Sequence, residues 1–360
     1  MKACADARCP TCGGELGWSA EAIACGACAQ AYPRLSGIPV LLPQPEAHLA
    51  LWRGQLGLLL ERGERTLEAL TSAADAAGLN AATQQRLLAL GAAVKAQVED
   101  VTRFMRPALG GASASGATGL PRGVVEHIGY LYRDWAWPGA GYRENDSAVA
   151  ALAELCGDLP LGRTLVLGAG ACGLPYELHR RCRASATVAL DIDPYLLVPA
   201  ELLVRGALLE LTEASLRVMD LGEVSRAWVL RAEHGPLSET SFQLVLADGV
   251  APPFPPESFD SIITPWFIDQ VPRDLPAFFG SVRRLLRPGG RYFNQGPLIY
   301  PEQTPFAARY CREELFELAA AAGLPVGGWS SASRPYLVSP LSGSGKHERV
   351  LCFVASRPAW

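Results

Sequence analysis

Thr164-Leu-Val-Leu-Gly168-Ala-Gly170-Ala-Cys-Gly173-Leu-Pro-Tyr-Glu177, with Thr187-Val-Ala-Leu-Asp191-Ile-Asp193 just downstream, reads as strand, glycine turn, helix and strand. Thr164 to Leu167 is a short apolar run. Gly168, Gly170 and Gly173 then give a turn without side-chain walls, where a ligand can lie against backbone N–H groups at a helix start. Asp191 ends the next apolar run, at the ~20-residue distance expected of a nucleotide-binding unit. In a doubly wound sheet the carboxyl ends of such strands face one crevice, and a carboxylate there accepts hydrogen bonds from ribose hydroxyls. The expected ligand is an adenosine derivative.

Downstream the order alternates. Tyr195 to Leu208 and Glu210 to Leu216 are apolar and helix-prone, and Ser241 to Ala247 is a strand ending in Asp248-Gly249. Ser261 to Thr264 is a strand, and Pro265-Trp-Phe-Ile-Asp269 leads to a helix that ends at Leu285. Arg291 to Tyr300 is another strand, so the sheet is expected to be mostly parallel. Upstream, Asn145-Asp-Ser147 reads as the cap of a helix running to about Cys156. Before it stands Tyr130-Leu-Tyr-Arg133-Asp134-Trp135-Ala-Trp137. Its tryptophans suit core or interface as well as a site. Arg133 suits a ligand carboxylate.

The N-terminal part has its own chemistry. Cys9-Pro-Thr-Cys12 and Cys25-Gly-Ala-Cys28 are two knuckles separated by a hairpin-like segment, so four thiolates can converge on one zinc ion. With no open position such a site is structural and supplies folding energy to a segment too small for a core. From Glu46 to about Met105 the pattern is helical: Leu49, Trp52, Leu56 and Leu59, then Leu87, Leu90, Val94, Val98 and Val101, recur every three or four residues. These stripes predict two or three helices that cover the ligand-binding domain without chemistry of their own. Gly110 to Gly119 has the composition of a linker. The expected division is residues 1–45 ribbon, 46–108 helical cover, 109–122 flexible linker and 123–360 ligand-binding domain.

A chain of 360 residues, 49% apolar and 19% charged, can bury a full core. A net charge of −4 gives no field that attracts a polyanion, which argues against a nucleic-acid substrate. No window approaches a membrane span, and the first residues lack a secretory core, so a cytoplasmic location is expected. Six further cysteines are scattered, which suits reduced thiols.

Residues 1–45, with Tyr32-Pro and Gly37-Ile-Pro after the knuckles, resemble the small zinc-ribbon activator subunit of tRNA and translation-factor methyltransferases. The remainder resembles a class I S-adenosylmethionine-dependent methyltransferase through three elements. These are Gly168-x-Gly170-x-x-Gly173 with Asp191, Asp248-Gly with Ser258-Phe-Asp260, and Leu285-Leu-Arg-Pro-Gly-Gly290. The resemblance implies a Rossmann-like sheet and S-adenosylmethionine as cofactor, with Asp191 on the ribose, Asp248-Gly249 at the adenine, the glycine turn at the methionine part and Arg133 on its carboxylate. A closer resemblance, to carnosine N-methyltransferase and its relatives, rests on Arg133-Asp-Trp135, Trp266-Phe-Ile-Asp269, Gly296-Pro-Leu-Ile-Tyr300 and Cys352 to Pro358.

That resemblance places Asp269 on an imidazole acceptor, with Tyr300 and Tyr336 on the substrate side. Neutral imidazole has one nitrogen to attack a methyl and one N–H for a carboxylate to hold. The alternative role for Asp269 is to cap the following helix. Two departures separate the chain from that family: Pro301 stands where the family has histidine, and Tyr130 where it has glutamine. The expected substrate is a small molecule or peptide. The competing expectation is an RNA or protein methyltransferase whose ribbon grips a macromolecule.

Overall fold

The computed structural model of the protein describes every residue except 1–3, 20–21, 111–123, 139, 216, 272–274 and 360. The expected linker therefore lies outside the described residues, apart from Leu109 and Gly110 at a helix end. In chain order the N-terminal strands are β1 (Leu16–Trp18), β2 (Ile23–Cys25), β3 (Ala31–Tyr32), β4 (Arg34–Leu35) and β5 (Ile38–Leu41). Helices α1 (Pro45–Ala74), α2 (Ala81–Leu109), α3 (Val124–Trp135) and α4 (Ala140–Cys156) follow. Then come β6 (Gly162–Leu167), α5 (Gly173–Arg181), β7 (Ala184–Asp191), α6 (Pro194–Val204), β8 (Leu209–Ala214), β9 (Ser225–Leu230), β10 (Phe242–Ala247) and β11 (Phe259–Pro265). The chain ends with α7 (Leu275–Leu285), β12 (Leu286–Gly296), α8 (Arg312–Ala321), β13 (Val326–Tyr336) and β14 (Lys346–Ser356).

Nine strands form one sheet in the order β13-β14-β12-β11-β6-β7-β10-β5-β4. The pairs from β12 to β5 are parallel, and β14 runs antiparallel between β12 and β13. Strand residues alternate between two separate cores, as the period of two requires. Val166, Ala189, Leu246 and Ile263 face the first, with α1 to α6. Leu165, Leu190, Val245 and Ile262 face the second, with α7, α8 and the cysteine-bearing segment. On that second face Cys4, Ile23 and Tyr32 of the N-terminal segment occupy the place of a covering layer. Arg163 clasps Asp6 across the seam. The segment's last strand, β5, pairs with β10 and extends the sheet, which nothing in its sequence announces.

Helices α1 and α2 lie over α6 and the β8–β9 hairpin. The hydroxyl of Tyr195 donates to Trp52 O at 2.7 Å, and Asp100 of α2 accepts from Thr212 N at 2.7 Å. Asn80 starts α2 by accepting from Thr83 N.

Three local expectations are corrected. Of the helix expected over Glu210 to Leu216, the described residues, up to Ser215, form none. Leu209–Ala214 is a strand, because Leu211 and Glu213 alternate inward and β9 supplies antiparallel partners. The strand expected to reach Tyr300 ends at Gly296, ahead of Pro297, whose ring removes a ladder donor. Asn145 does not begin a helix: α4 starts at Ala140, and the Asn145 amide donates to Asp134 instead.

Candidate active site

Strand order reverses around β6, with β7 on one side and β11 on the other, and in open α/β sheets ligands bind beyond the carboxyl ends of strands at such a point. A cavity of about 1400 Å³ lies there. Single-ligand pockets run to roughly 300–1,000 Å³, so this one has room for two occupants side by side. It gathers Arg133, Gly168, Gly170, Asp191, Asp248, Gly249, Asp269, Tyr300 and Tyr336, nine of the ten residues expected at the cofactor and the acceptor. Gly173 stands just behind the wall, next to Asp134.

The glycine turn works differently from its expectation. Gly168 N and Ala169 N donate to Leu190 O at 2.9 and 3.0 Å, Gly170 N to Asp191 Oδ2 at 2.7 Å, and Gly173 N to Asp134 Oδ2 at 2.9 Å. These donors are held by the protein rather than presented to a ligand. A Cβ on Gly168, whose φ is +75°, would stand 2.7 Å from the Phe267 ring, whereas Gly170 faces open space. Asp134 closes the start of α5 with a carboxylate, an arrangement hostile to a pyrophosphate. A cofactor without phosphates and with a cationic centre suits it.

Asp191 accepts from Ile192 N and Asp193 N as well as Gly170 N. A carboxylate has about four acceptor positions, so one remains for a ribose hydroxyl. Burial, with the charge of Asp193 beside it, pushes its pKa up to about 6 against the pull of those N–H donors. Asp248 accepts from Val250 N through Oδ1. Arg133 is less free than its expected role suggests. Its Nε donates to Asp134 at 2.7 Å and its Nη1 to Glu144 at 3.1 Å. Burial opposes its charge, yet these two carboxylates hold its pKa above the ordinary value.

On the other side of the cavity, β11 ends at Pro265 and the chain turns sharply. Trp266 takes a φ of +50°, rare for a bulky residue, and its N–H donates to Gln295 O at 2.7 Å. Gly296 makes this possible, because a Cβ there would lie 2.9 Å from Trp266 Cα. The turn aims the Trp266 ring at the cavity, where Tyr336 stacks on it with centroids 4.0 Å apart. The Tyr336 hydroxyl meets that of Tyr130 at 2.6 Å, so the departure at Tyr130 links it to the substrate-side tyrosine. Burial raises the pKa of Tyr336.

Asp269 follows within a short 3-10 turn, Ile268–Gln270, and is 3% exposed. It caps no helix among the described residues. Its Oδ2 accepts from Ile299 N at 3.3 Å, and its Oδ1 is buried with no partner. Burial pushes its pKa up to about 6 against the opposing pull of the Gln270 side chain and Ile299 N. The Tyr300 hydroxyl donates to Tyr310 O at 2.8 Å, and burial followed by Asp269 raises its pKa.

Several cavity residues escaped sequence reading. Gln97 of α2 lines it, so the helical cover is not remote from the site. Glu213, on β8, is gripped by the Trp137 and Trp228 indoles at 2.9 and 2.7 Å and by Ser339 at 2.6 Å. The available signal was the alternation in β8, which composition masked. No described residue before β5 lines the cavity.

The four Sγ atoms of Cys9, Cys12, Cys25 and Cys28 lie within 4.8 Å of one another, with Cys9 to Cys28 at 3.7 Å and Cys12 to Cys25 at 3.5 Å. Zinc–sulfur bonds of about 2.3 Å in a tetrahedron put ligand sulfurs about 3.8 Å apart. The cluster fits such an ion. Around it, Tyr32 Oη lies 2.9 Å from Cys9 Sγ, and Ala27 N donates to Cys25 Sγ.

Residues 165–294 match the protein family described as a methyltransferase domain. The chain thus carries a methyltransferase domain, and the mostly parallel sheet is the Rossmann-like fold of the class I S-adenosylmethionine-dependent enzymes. No curated protein matches the sequence. Among solved structures, a chain of the complex between the Haloferax volcanii Trm112 methyltransferase activator and a methyltransferase is similar at 15% identity and a TM-score of 0.41, covering 65% of this chain and 94% of that one. Phosphoethanolamine N-methyltransferase 2 of Haemonchus contortus, in complex with S-adenosyl-L-methionine, is similar at 14% identity and 0.40, covering 65% and 57%. The [4+2]-cyclase SpnF is similar at 14% and 0.43, covering 74% and 96%. Similarity of this strength, which extends to a cyclase, carries no function to this chain. No helix among the described residues is long and apolar enough to cross a membrane.

Proposed function

We propose that the protein transfers a methyl group from S-adenosylmethionine to a nitrogen of a small molecule or peptide, with an imidazole as the acceptor its site suits best. The observation that carries this is the unpartnered Oδ1 of Asp269, buried at the cavity beyond the switch point. A buried acceptor without a donor is unfavourable, and an acceptor's N–H would satisfy it. Asp191 and Asp248 would hold the adenosine, and the turn from Gly168 to Gly173, closed by Asp134, would flank the methionine part. Arg133 would meet the methionine carboxylate through N–H groups not engaged by Asp134 and Glu144. The cofactor supplies an electrophilic methyl on a cationic sulfur. Asp269 orients the acceptor by holding one ring N–H, which leaves the other nitrogen's lone pair exposed, and it receives the proton or stabilises the cation. Trp266 and Tyr336 provide an aromatic wall for a flat ring. Tyr300 stands beside Asp269.

Cys9, Cys12, Cys25 and Cys28 would hold one structural zinc, whose bonds fix the N-terminal segment against the sheet. Residues 1–45 then form a ribbon, 46–108 a cover and 123–360 the catalytic domain. The macromolecular alternative would need the ribbon near the acceptor, and no described ribbon residue reaches the cavity. The test is methyl transfer from labelled cofactor to imidazole compounds, peptides and RNA in parallel. Transfer to imidazole compounds or histidine peptides is expected. Labelling of RNA or intact protein alone would overturn the proposal.

A further inference from the structure

Three buried side-chain atoms at the cavity have no hydrogen-bond partner: Asp269 Oδ1, Gln295 Oε1 and Arg334 Nε. The first two accept hydrogen bonds. The third donates one and carries positive charge. Arg334 precedes Tyr336 by two residues on β13, and residues two apart share a strand face. It therefore stands on the face whose tyrosine lies flat on Trp266.

The guanidinium is held at one arm. Nη1 donates to Ser147 O of α4 at 3.1 Å, which fixes the plane and leaves Nε and Nη2. That edge is one of the two with which arginine grips a carboxylate or phosphate through parallel bonds. Glu348 is the cross-strand neighbour of Arg334, yet the two form no ion pair within 4.0 Å. Arg133 differs, since two carboxylates already engage it. Arg217 and Lys346, the other cations at the cavity, are exposed, whereas Arg334 is half-buried. Among the described cavity residues, Arg334 is thus the sheltered cation that forms no ion pair within 4.0 Å with a carboxylate.

We infer that the methyl acceptor carries an anionic group, carboxylate or phosphate, seated side-on on Nε and Nη2 of Arg334, with its N–H at Asp269 and its body against the Trp266–Tyr336 stack. This rests on the small-molecule reading above and adds a second recognition point. The acceptor is an acid at one end and a nitrogen nucleophile at the other.

The test is calorimetric titration of the protein loaded with S-adenosylhomocysteine. The probes are imidazole propionate, its uncharged primary amide and imidazolylethyl phosphate. At least one acid should bind ~10-fold or more tightly than the amide, the lower worth of a charge-assisted contact, and comparison of the two acids identifies the anion. Arg334→Met should erase that preference with S-adenosylhomocysteine affinity unchanged and only a small fall in thermal melt from the lost bond to Ser147 O, and Arg334→Lys should keep part of it. Equal binding of acids and amide, a preference that survives in Arg334→Met, or no binding of any probe would overturn the inference. Failure of the wild type to bind S-adenosylhomocysteine would remove the methyl-transfer reading, and this inference with it.

Discussion

Replacing Asp269 by asparagine separates the chemistry of this carboxylate from its structural role. Asparagine keeps the shape and keeps an acceptor for Ile299 N. It cannot receive a proton, and its amide presents a donor to the acceptor's N–H. Turnover should fall by ~10²–10⁴, the range for a positioned acid–base group, with cofactor affinity nearly unchanged. Stability should move the other way. A carboxyl held at about 6 instead of 3.8 costs roughly 3 kcal/mol to keep ionised in the fold. Below the unfolded value both states are protonated and nothing is lost. As pH rises, the unfolded chain ionises first, so the wild type loses stability until the folded group ionises too, near pH 6. The uncharged variant escapes this loss. Chemical denaturation from pH 3.5 to 7.5 should therefore show Asp269→Asn gaining on the wild type between about pH 4 and 6 and levelling at up to ~3 kcal/mol. Wild-type turnover should rise over the same interval as the carboxylate forms. Near-normal turnover of the variant with an identified acceptor would refute the catalytic role. A stability difference that is flat with pH would refute the buried, unpartnered carboxylate.

Asp191→Ala should weaken S-adenosylmethionine binding by ~10-fold or more in calorimetry, and its thermal melt should also fall because three backbone N–H groups lose their acceptor. Since the Asp191 carboxyl sits at about 6, wild-type cofactor affinity should decline as pH drops below that value; pH-independent affinity from pH 5 to 8 would contradict the ribose role. Gly168→Ala, which meets the Phe267 ring at 2.7 Å with φ at +75°, should lower stability by ~1–2 kcal/mol in urea denaturation, and a neutral outcome would mean that the ring yields freely. Metal analysis should find one zinc per chain. A strong chelator should lower the melting temperature by loosening the segment that carries β5, and metal-free protein of unchanged stability would count against the structural role.

What the sequence determined by itself is what local spacing can encode. The two cysteine knuckles fix four thiols within reach of one ion through short loops. The run from Thr164 to Asp191 fixes a strand, a glycine turn, a helix and a second strand, because apolar runs and glycines act on their own neighbourhood. Asp248-Gly249, Phe259-Asp260 and Leu285 to Gly290 mark further elements for the same reason, and nine of the ten residues expected at the cofactor and the acceptor line one cavity. Tertiary structure decided whatever depends on a distant partner. Leu209–Ala214 is a strand because β9 pairs with it, and β5 joins the sheet because β10 leaves an open edge. Gly173 N is taken by Asp134, and Arg133 by Asp134 and Glu144, contacts between elements that no spacing along the chain foretells. The same holds for Arg334, which is one arginine among many in the sequence. Strand register puts it on the cavity face beside Tyr336, so only the fold brings its charge to the site.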